Sequence, residues 1–323
     1  MKNRVCDVLG IEKPIIQGPM AWISTAPLVA AASNAGALGV LGVGFAPDGF
    51  VIEEVEATKK LTDKPFAINT VMIPENLDRL TGIIGEIKPP IIYADTLFDL
   101  PMELCEHYFS IWHSFGCKVL VKVGDIKNAV TAEKAGADAI IVKGWEGGGH
   151  VSSEATTVLV PQAADVLTVP VIASGGIADG RGFAAAIAMG AEGIEMGTVF
   201  MAAEETLVHP NVKQEIIKTG DGATVITGMP TGEPCRQIKN KLSDELFRIE
   251  AENIRVKAAE ILRPIAESSL KNAMMDGDME NGAVMAGQIV PLVKEIKPVA
   301  QIIDEVIEDA KICIEKMKVF SFC

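Results

Sequence analysis

Residues 118–142 read KVLVKVGDIKNAVTAEKAGADAIIV, and they hold one complete turn of the pattern that decides the fold. An aliphatic run, Lys118 to Val123, leads into Gly124-Asp125. An Ala-rich amphipathic stretch, Lys127 to Ala135, follows and is closed by Gly136, after which a second aliphatic run covers Ala137 to Val142. Short Val- and Ile-rich runs, apolar on both faces, suit strands of a parallel sheet covered by helices. Gly136 stands where helices commonly end in a left-handed residue.

The same unit recurs on both sides of this stretch. Counting outward gives eight aliphatic runs: Pro14 to Gln17, Leu38 to Gly42, Pro65 to Asn69, Pro90 to Ala94, the two just quoted, Val169 to Ala173 and Gly193 to Met196. Helices are expected between them, among them Ala26 to Ala35, Asp48 to Leu61 and Gly180 to Met189, with Gly36 and Gly190 as further stops. Strand then helix, eight times before Glu204, predicts an α/β chain closed into a (β/α)8 TIM barrel. An open doubly wound sheet shares the local alternation and is the alternative.

From His209 the pattern changes. Gly- and Pro-rich turns (Gly220 to Gly222, Gly228 to Pro234) precede a charged helical stretch from Ser243 to about Leu270. The reading is a barrel over 1–208, a small partly helical appended domain over 209–290, and a C-terminal segment, 291–323. In that segment a helix from Val299 to Lys318 presents Ile302, Ile303, Val306 and Ile307 at helical spacing and packs back on the barrel.

Composition narrows the class. The 323 residues are 49% hydrophobic but only 5% aromatic, which favours α/β over an all-β sandwich. A formal net charge of −14 argues against nucleic-acid binding, because phosphate backbones need clustered Lys and Arg. The six cysteines are dispersed without a C-x-x-C pair, so they read as reduced thiols of a cytoplasmic protein, with neither a disulfide frame nor a metal site expected. No signal-like segment precedes the first motif, and charges interrupt every long apolar run, so no membrane association is expected.

In such barrels the chemistry sits at the C-terminal ends of the strands. That rule selects Gln17-Gly18-Pro19-Met20-Ala21 after the first run, Asn69-Thr70 after the third, and Lys122 to Asp125 at the fifth. The sixth run ends in Lys143-Gly144-Trp145-Glu146-Gly147-Gly148-Gly149-His150. The seventh enters Ser174-Gly175-Gly176-Ile177, with Asp179-Gly180 opening the next helix, and the eighth enters Met196-Gly197-Thr198. Paired glycines let backbone N–H groups approach an anion, and a helix N-terminus adds its dipole, so the last two turns suit a phosphate. Three successive glycines before His150 leave room for a flat ring against backbone. An imidazole there can give, take or share a proton near neutrality, which makes His150 the candidate catalytic residue.

Taken in order, these motifs resemble the nitronate monooxygenase / 2-nitropropane dioxygenase family, and within it the FMN-dependent enoyl-ACP reductase II branch (the FabK type). The resemblance spans nearly the whole chain. It rests on Ile16-Gln17-Gly18-Pro19-Met20-Ala21-Trp22, Asp63 to Asn69, Glu146 to His150 and Ser174 to Gly180. In the appendage it rests on Lys239-Asn240-Lys241-Leu242 and Gly282-Ala283-Val284-Met285-Ala286-Gly287-Gln288. The resemblance implies FMN, its phosphate on Ser174-Gly175-Gly176 and Met196-Gly197-Thr198. The ring is then flanked by Met20, Asn69, Gly148 and Gln288, and Gln17, Gly18, Ala21, Lys122, Lys143, Gly149, Met285, Ala286 and Gly287 complete the cofactor-binding set. His150 falls on the family's catalytic histidine.

Two reactions follow from the resemblance. In one, NADH or NADPH reduces the flavin, which passes hydride to the β-carbon of a trans-2-enoyl thioester carried by CoA or an acyl carrier protein. In the other, an alkyl nitronate reduces the flavin and O2 completes the cycle. A phosphate-binding barrel without flavin is a third reading, and a homodimer is the family-level expectation. The chain departs from the family at Lys143, where Gln or Glu is usual, at Pro19, at Phe45 and in the Tyr93 to Phe98 turn. A cation at Lys143 is expected to stabilise a reduced flavin, or to neutralise Glu146 or the phosphate. Arg236, Lys239, Lys241, Arg248, Arg255 and Lys257 are candidates for a basic landing patch for an acidic carrier.

Overall fold

The computed structural model describes residues 3–319. Eight parallel strands close into a barrel: β1 (Ile15–Gln17), β2 (Leu38–Leu41), β3 (Phe66–Val71), β4 (Ile91–Asp95), β5 (Lys118–Val123), β6 (Ala139–Lys143), β8 (Val171–Ser174) and β9 (Gly193–Met196). Closure is direct, because β9 pairs with β1 through Ile15↔Ile194 and Gln17↔Met196. A two-residue strand, β7 (Gly149–His150), lies outside the barrel. The TIM barrel read from the sequence is therefore the fold, and the open sheet is not.

Each barrel strand buries both faces for different partners, which is why the runs carry no polar alternation. Ile16, Leu38, Val40, Ala67, Leu120, Ile141 and Ile172 point inward and fill the barrel. Ile15, Leu41, Ile68, Ile92, Val119, Ile140 and Val142 point outward against the helices. The helices of the ring are α2 (Ala26–Asn34), α3 (Asp48–Leu61), α4 (Pro74–Ile87), α5 (Met102–Ser114), α6 (Ile126–Lys134), α7 (Thr156–Val166) and α8 (Gly180–Ala188), preceded by a short α1 (Arg4–Leu9). The sequence reading did not single out α1. Its Val5 and Leu9 join the inner cluster and stopper the N-terminal end of the barrel, leaving the C-terminal end as the open mouth.

After β9 come α9 (Thr198–Met201) and α10 (Pro210–Lys218), then strands β10 (Thr224–Thr227) and β11 (Cys235–Ile238). β11 pairs antiparallel with β10 on one side and with β7 on the other. The helical stretch expected from Ser243 to Leu270 is two helices, α11 (Lys241–Glu252) and α12 (Arg255–Met274). Asn253 makes the break, since its carboxamide donates to the Ile249 carbonyl at 2.9 Å and Ile254 is extended. Upstream, Asn240 and Ser243 cap the start of α11 reciprocally. The final helix, α13 (Val299–Lys318), buries Val299, Ile302, Ile303 and Val306 and lies against α8 and α2. No helix among the described residues is long and apolar enough to cross a membrane.

The contact between α8 and α13 is backbone-close. A Cβ on Gly180 would sit 2.2 Å from the Ala310 nitrogen and 2.5 Å from the Asp309 carbonyl carbon. Gly180→Ala is expected to lower stability by about 1–3 kcal/mol, the usual cost of overpacking, read as a shift in the urea midpoint. An unchanged midpoint would mean that α13 does not dock on α8 as described.

Candidate active site

The C-terminal ends of the strands surround a cavity of about 590 Å³. From the first loop it takes Gly18, Met20 and Ala21, and from β3 it takes Asn69. Lys122, Lys143 and the turn Gly148-Gly149-His150 line another side. Ser174, Gly175, Gly176, Met196, Gly197 and Thr198 line the end where the phosphate was expected, and Met285 and Gly287 arrive from the far end of the chain. Three of the residues assigned to the cofactor do not line it. Gln17 is fully buried, with its Nε2 donating to the Gly18 carbonyl and to Ser24 Oγ while its Oε1 accepts from the Val40 N–H. Its work is to hold the first loop. Ala286 is buried behind Gly148, and the Gln288 side chain is exposed, only its backbone N–H reaching the Glu146 carbonyl at 2.9 Å.

The glycines before His150 have a reason the sequence did not reveal. A Cβ on Gly148 would lie 2.7 Å from both the Ala286 carbonyl carbon and the Gly287 nitrogen, and one on Gly147 would lie 2.5 Å from Lys143 Cε. They admit a second backbone segment and a lysine stem, as well as leaving the cavity side bare. β7 then pairs with β11, His150 opposite Cys235 and Gly149 opposite Arg236, so the turn is fixed as a sheet edge. Arg236 is buried beneath it. Its guanidinium lies 5.6 Å from the Trp145 ring centroid and donates to the Trp145 carbonyl at 3.1 Å.

At the phosphate end, Gly175 and Gly176 have φ of 90° and 75°, the left-handed region that side chains avoid. Outside the regular elements, no backbone carbonyl among the described residues accepts from the N–H of Gly175, Gly176 or Gly197. The helix dipole enters differently than expected. Asp179 caps α8, accepting from the Arg181 and Gly182 N–H groups, so that terminus is already filled by a carboxylate. α9 starts at Gly197 without a side-chain cap. Thr198 Oγ1 accepts from the Gly287 N–H at 2.9 Å, which binds this turn to the 285–287 segment.

The floor of the cavity holds a charged network that the sequence reading missed. Lys122 Nζ lies 2.7 Å from Asp95 Oδ2 and 5.6 Å from the Tyr93 ring centroid. Glu195 accepts from the Tyr93 hydroxyl and, at 2.7 Å, from Ser174 Oγ. Burial works against the Lys122 charge, but Asp95 and Glu195 outweigh it and hold its pKa above the ordinary lysine value. Burial, helped by Glu195 and Asp95, pushes the Tyr93 hydroxyl well above its ordinary value. A Glu inside the aliphatic run Gly193–Met196 and a Tyr inside Ile91–Asp95 were the available signals, since a buried polar side chain in a parallel strand needs a partner.

Lys143 does not meet Glu146, whose carboxylate instead accepts from the Thr156 N–H at 3.0 Å and from the Thr156 hydroxyl at 2.9 Å. Its ammonium donates to the carbonyls of Gly148 and His150, both at 2.8 Å. Burial, then repulsion from Lys122, lowers its pKa to about 8, with Asp95 and Glu195 opposing. Burial and the Lys143 charge lower His150 to about 4, so its imidazole is neutral at neutral pH. Such a site can bind an anion at one end and present a neutral imidazole beside two lysines of unlike acidity at the other.

The six basic residues considered for a landing patch differ in what they contact. Arg236 is buried, Arg248 pairs with Glu245 and Glu252, and Lys257 pairs with Glu260. Lys239 faces Asp244 at 3.9 Å and Lys241 faces Glu280 at 3.7 Å. Arg255 reaches only the Pro230 carbonyl, at 3.5 Å.

The sequence profile of the nitronate monooxygenase family matches residues 2–86 and 98–309. A probable nitronate monooxygenase of Staphylococcus aureus is 31% identical over 89% of this chain and 91% of its own. FabK of Thermotoga maritima superposes with a TM-score of 0.91 at 38% identity, covering 98% of this chain and 99% of that one. The nitroalkane oxidase of Streptomyces ansochromogenes, at 24% identity and a TM-score of 0.82, shares the fold. With the profile matching all of the barrel strands but β4 and all of 209–290, the chain is an oxidoreductase that belongs to the nitronate monooxygenase family.

Proposed function

We propose that the protein is an FMN-dependent reductase that uses NADH or NADPH to saturate a trans-2-enoyl thioester. The observation that carries this reading is the 38% identity to FabK along nearly all of both chains, appendage included.

The residues present fit FMN. A flavin phosphate needs N–H donors with no competing acceptor, and no backbone carbonyl outside the regular elements takes those of Gly175, Gly176 or Gly197 among the described residues. A flat ring needs a slot bare of side chains, and the Gly147 to Gly149 backbone lines the cavity beside Met20, Asn69 and Lys122. Those residues would hold the ring, with Met285 and Gly287 closing the site. When bound, FMN supplies a two-electron carrier between nicotinamide and substrate. The chain's own part is to orient the thioester and steady the charge that forms on it. His150, neutral and anchored by its sheet pairing, is placed to donate an N–H to the thioester carbonyl oxygen, where negative charge builds as the β-carbon is reduced.

A nitronate monooxygenase is the second reading, favoured by the charge of the mouth. Its rim carries Asp99, paired with Lys127 at 3.0 Å, and Asp125, which caps α6, beside the exposed rings of Phe45 and Phe98. These carboxylates suit an acidic carrier protein less well than a small nitronate.

Anaerobic mixing separates the two. Bleaching of the flavin band by NADH or NADPH, then recovery on adding crotonyl-CoA, is the expected result. Bleaching by an alkyl nitronate but not by nicotinamide would transfer the assignment to the monooxygenase. A protein that is colourless even after reconstitution with FMN would leave a flavin-free phosphate-binding barrel.

His150→Asn is expected to keep FMN and to lower turnover by about 10²-fold; near-native turnover in the folded variant would remove His150 from the chemistry. The same variant tests its burial. A histidine whose folded pKa is about 4 binds its proton later than the unfolded chain does. Its contribution to stability is therefore complete above about pH 6.5 and is lost as pH falls toward 4, by up to about 3 kcal/mol. His150→Asn should flatten that part of the stability curve measured by urea unfolding from pH 7 to 4, and an unchanged slope would contradict a neutral, half-buried imidazole.

A further inference from the structure

We propose that Lys143 is the proton donor of this site, protonating the α-carbon of the substrate while His150 acts as a neutral hydrogen-bonding group. The inference rests on the reductase reading and deepens it.

The geometry separates the two lysines of the cavity floor. Lys122 is ion-paired with Asp95 at 2.7 Å and packs on Tyr93, so its proton is held. Lys143 makes no ion pair among the described residues, although it sits at the tip of β6 and lines the same cavity. Two of its three N–H bonds go to the Gly148 and His150 carbonyls at 2.8 Å each, which fixes the ammonium beside the catalytic turn and leaves one N–H without an acceptor there. The groups facing it are Lys122 from β5, Asp95 from β4, Glu195 from β9, and the poorly acidic Cys235 thiol from β11, which burial pushes up to about 12. Cation against cation at the centre, with both carboxylates already engaged by Lys122, Tyr93 and Ser174, makes this ammonium a willing donor. Its pKa of about 8 lies where a general acid serves neutral turnover, whereas His150 at about 4 has no proton to give.

The step balances on the thioester. With FMN bound, the nicotinamide nucleotide would supply the hydride that the β-carbon takes up, and the C=C π pair would move to the α-carbon. The Lys143 Nζ–H bond breaks to place a proton there, leaving a saturated thioester and a neutral amine that solvent recharges. In the monooxygenase reading no such carbon needs a proton, so the assignment discriminates between the reactions.

The test has a spectroscopic arm and a kinetic arm. In FMN-loaded protein labelled with 13C at lysine Cε, one resonance should titrate near 8 and be missing from Lys143→Met. A Lys143 resonance titrating above about 10, the ordinary lysine range, would overturn the proposal. In single-turnover reoxidation of the pre-reduced enzyme by crotonyl-CoA, the native rate should fall as pH rises through about 8. Lys143→Met should be about 10²-fold slower with no such limb, a larger loss than in its own reduction by nicotinamide. Lys143→Arg, which keeps the charge and the carbonyl contacts but holds its proton, should be comparably slow at every pH. Native-like reoxidation of either variant overturns the Lys143 assignment alone. Failure of the native enzyme itself to reoxidise, with the resonance still titrating near 8, overturns the reductase reading and the donor role with it.

Discussion

The site depends on one short piece of sheet. Gly149 and His150 pair with Arg236 and Cys235, and that ladder fastens the long turn after β6 to a strand lying more than eighty residues further along the chain. Without it, eight residues from Lys143 to His150 would be a glycine-rich excursion whose imidazole could point anywhere. With it, the histidine occupies a defined register, Arg236 packs under Trp145, and the Lys143 ammonium finds two carbonyls where they are needed. The appendage is therefore as much a part of the active cavity as the barrel is.

Burial then differentiates side chains of the same type. Two lysines stand on neighbouring strands, β5 and β6, yet one is held charged by a carboxylate and the other is pressed toward neutrality. The difference comes from who took the carboxylates. Asp95 is bound to Lys122, and Glu195 is occupied by a tyrosine and a serine hydroxyl, so the second cation receives only backbone oxygens. Burial, with the field of this cation added, keeps His150 uncharged.

Much of this was legible in the residues, and what was hidden had a physical reason. The aliphatic runs locate all eight barrel strands to within a few residues, because strands buried on both faces cannot disguise themselves with polar positions. Val299 to Lys318 is helical as its spacing demands. The break at Asn253 was obscured because the residues on both sides are good helix formers, and only the side-chain bond to Ile249 reveals it. β7 is two residues long and owes its existence to a distant partner, so no local pattern could announce it. The strand-end rule found most of the cavity lining, but it could not distinguish residues that face the cavity from those, such as Gln17, that hold the loop from behind. Pairing of Arg248 with Glu245 and Glu252 was foreseeable from helical spacing.

The close approach of Gly148 to the Ala286-Gly287 backbone also bears on how the chain can change over generations. A side chain on Gly148 meets that segment, and one on Gly287 would stand 2.9 Å from the Glu146 carbonyl oxygen, so neither position tolerates drift by itself. The two stretches are well over a hundred residues apart, yet they are locked into a single evolutionary unit. Phe45 and Phe98 at the rim project freely, so a substitution there meets no such backbone.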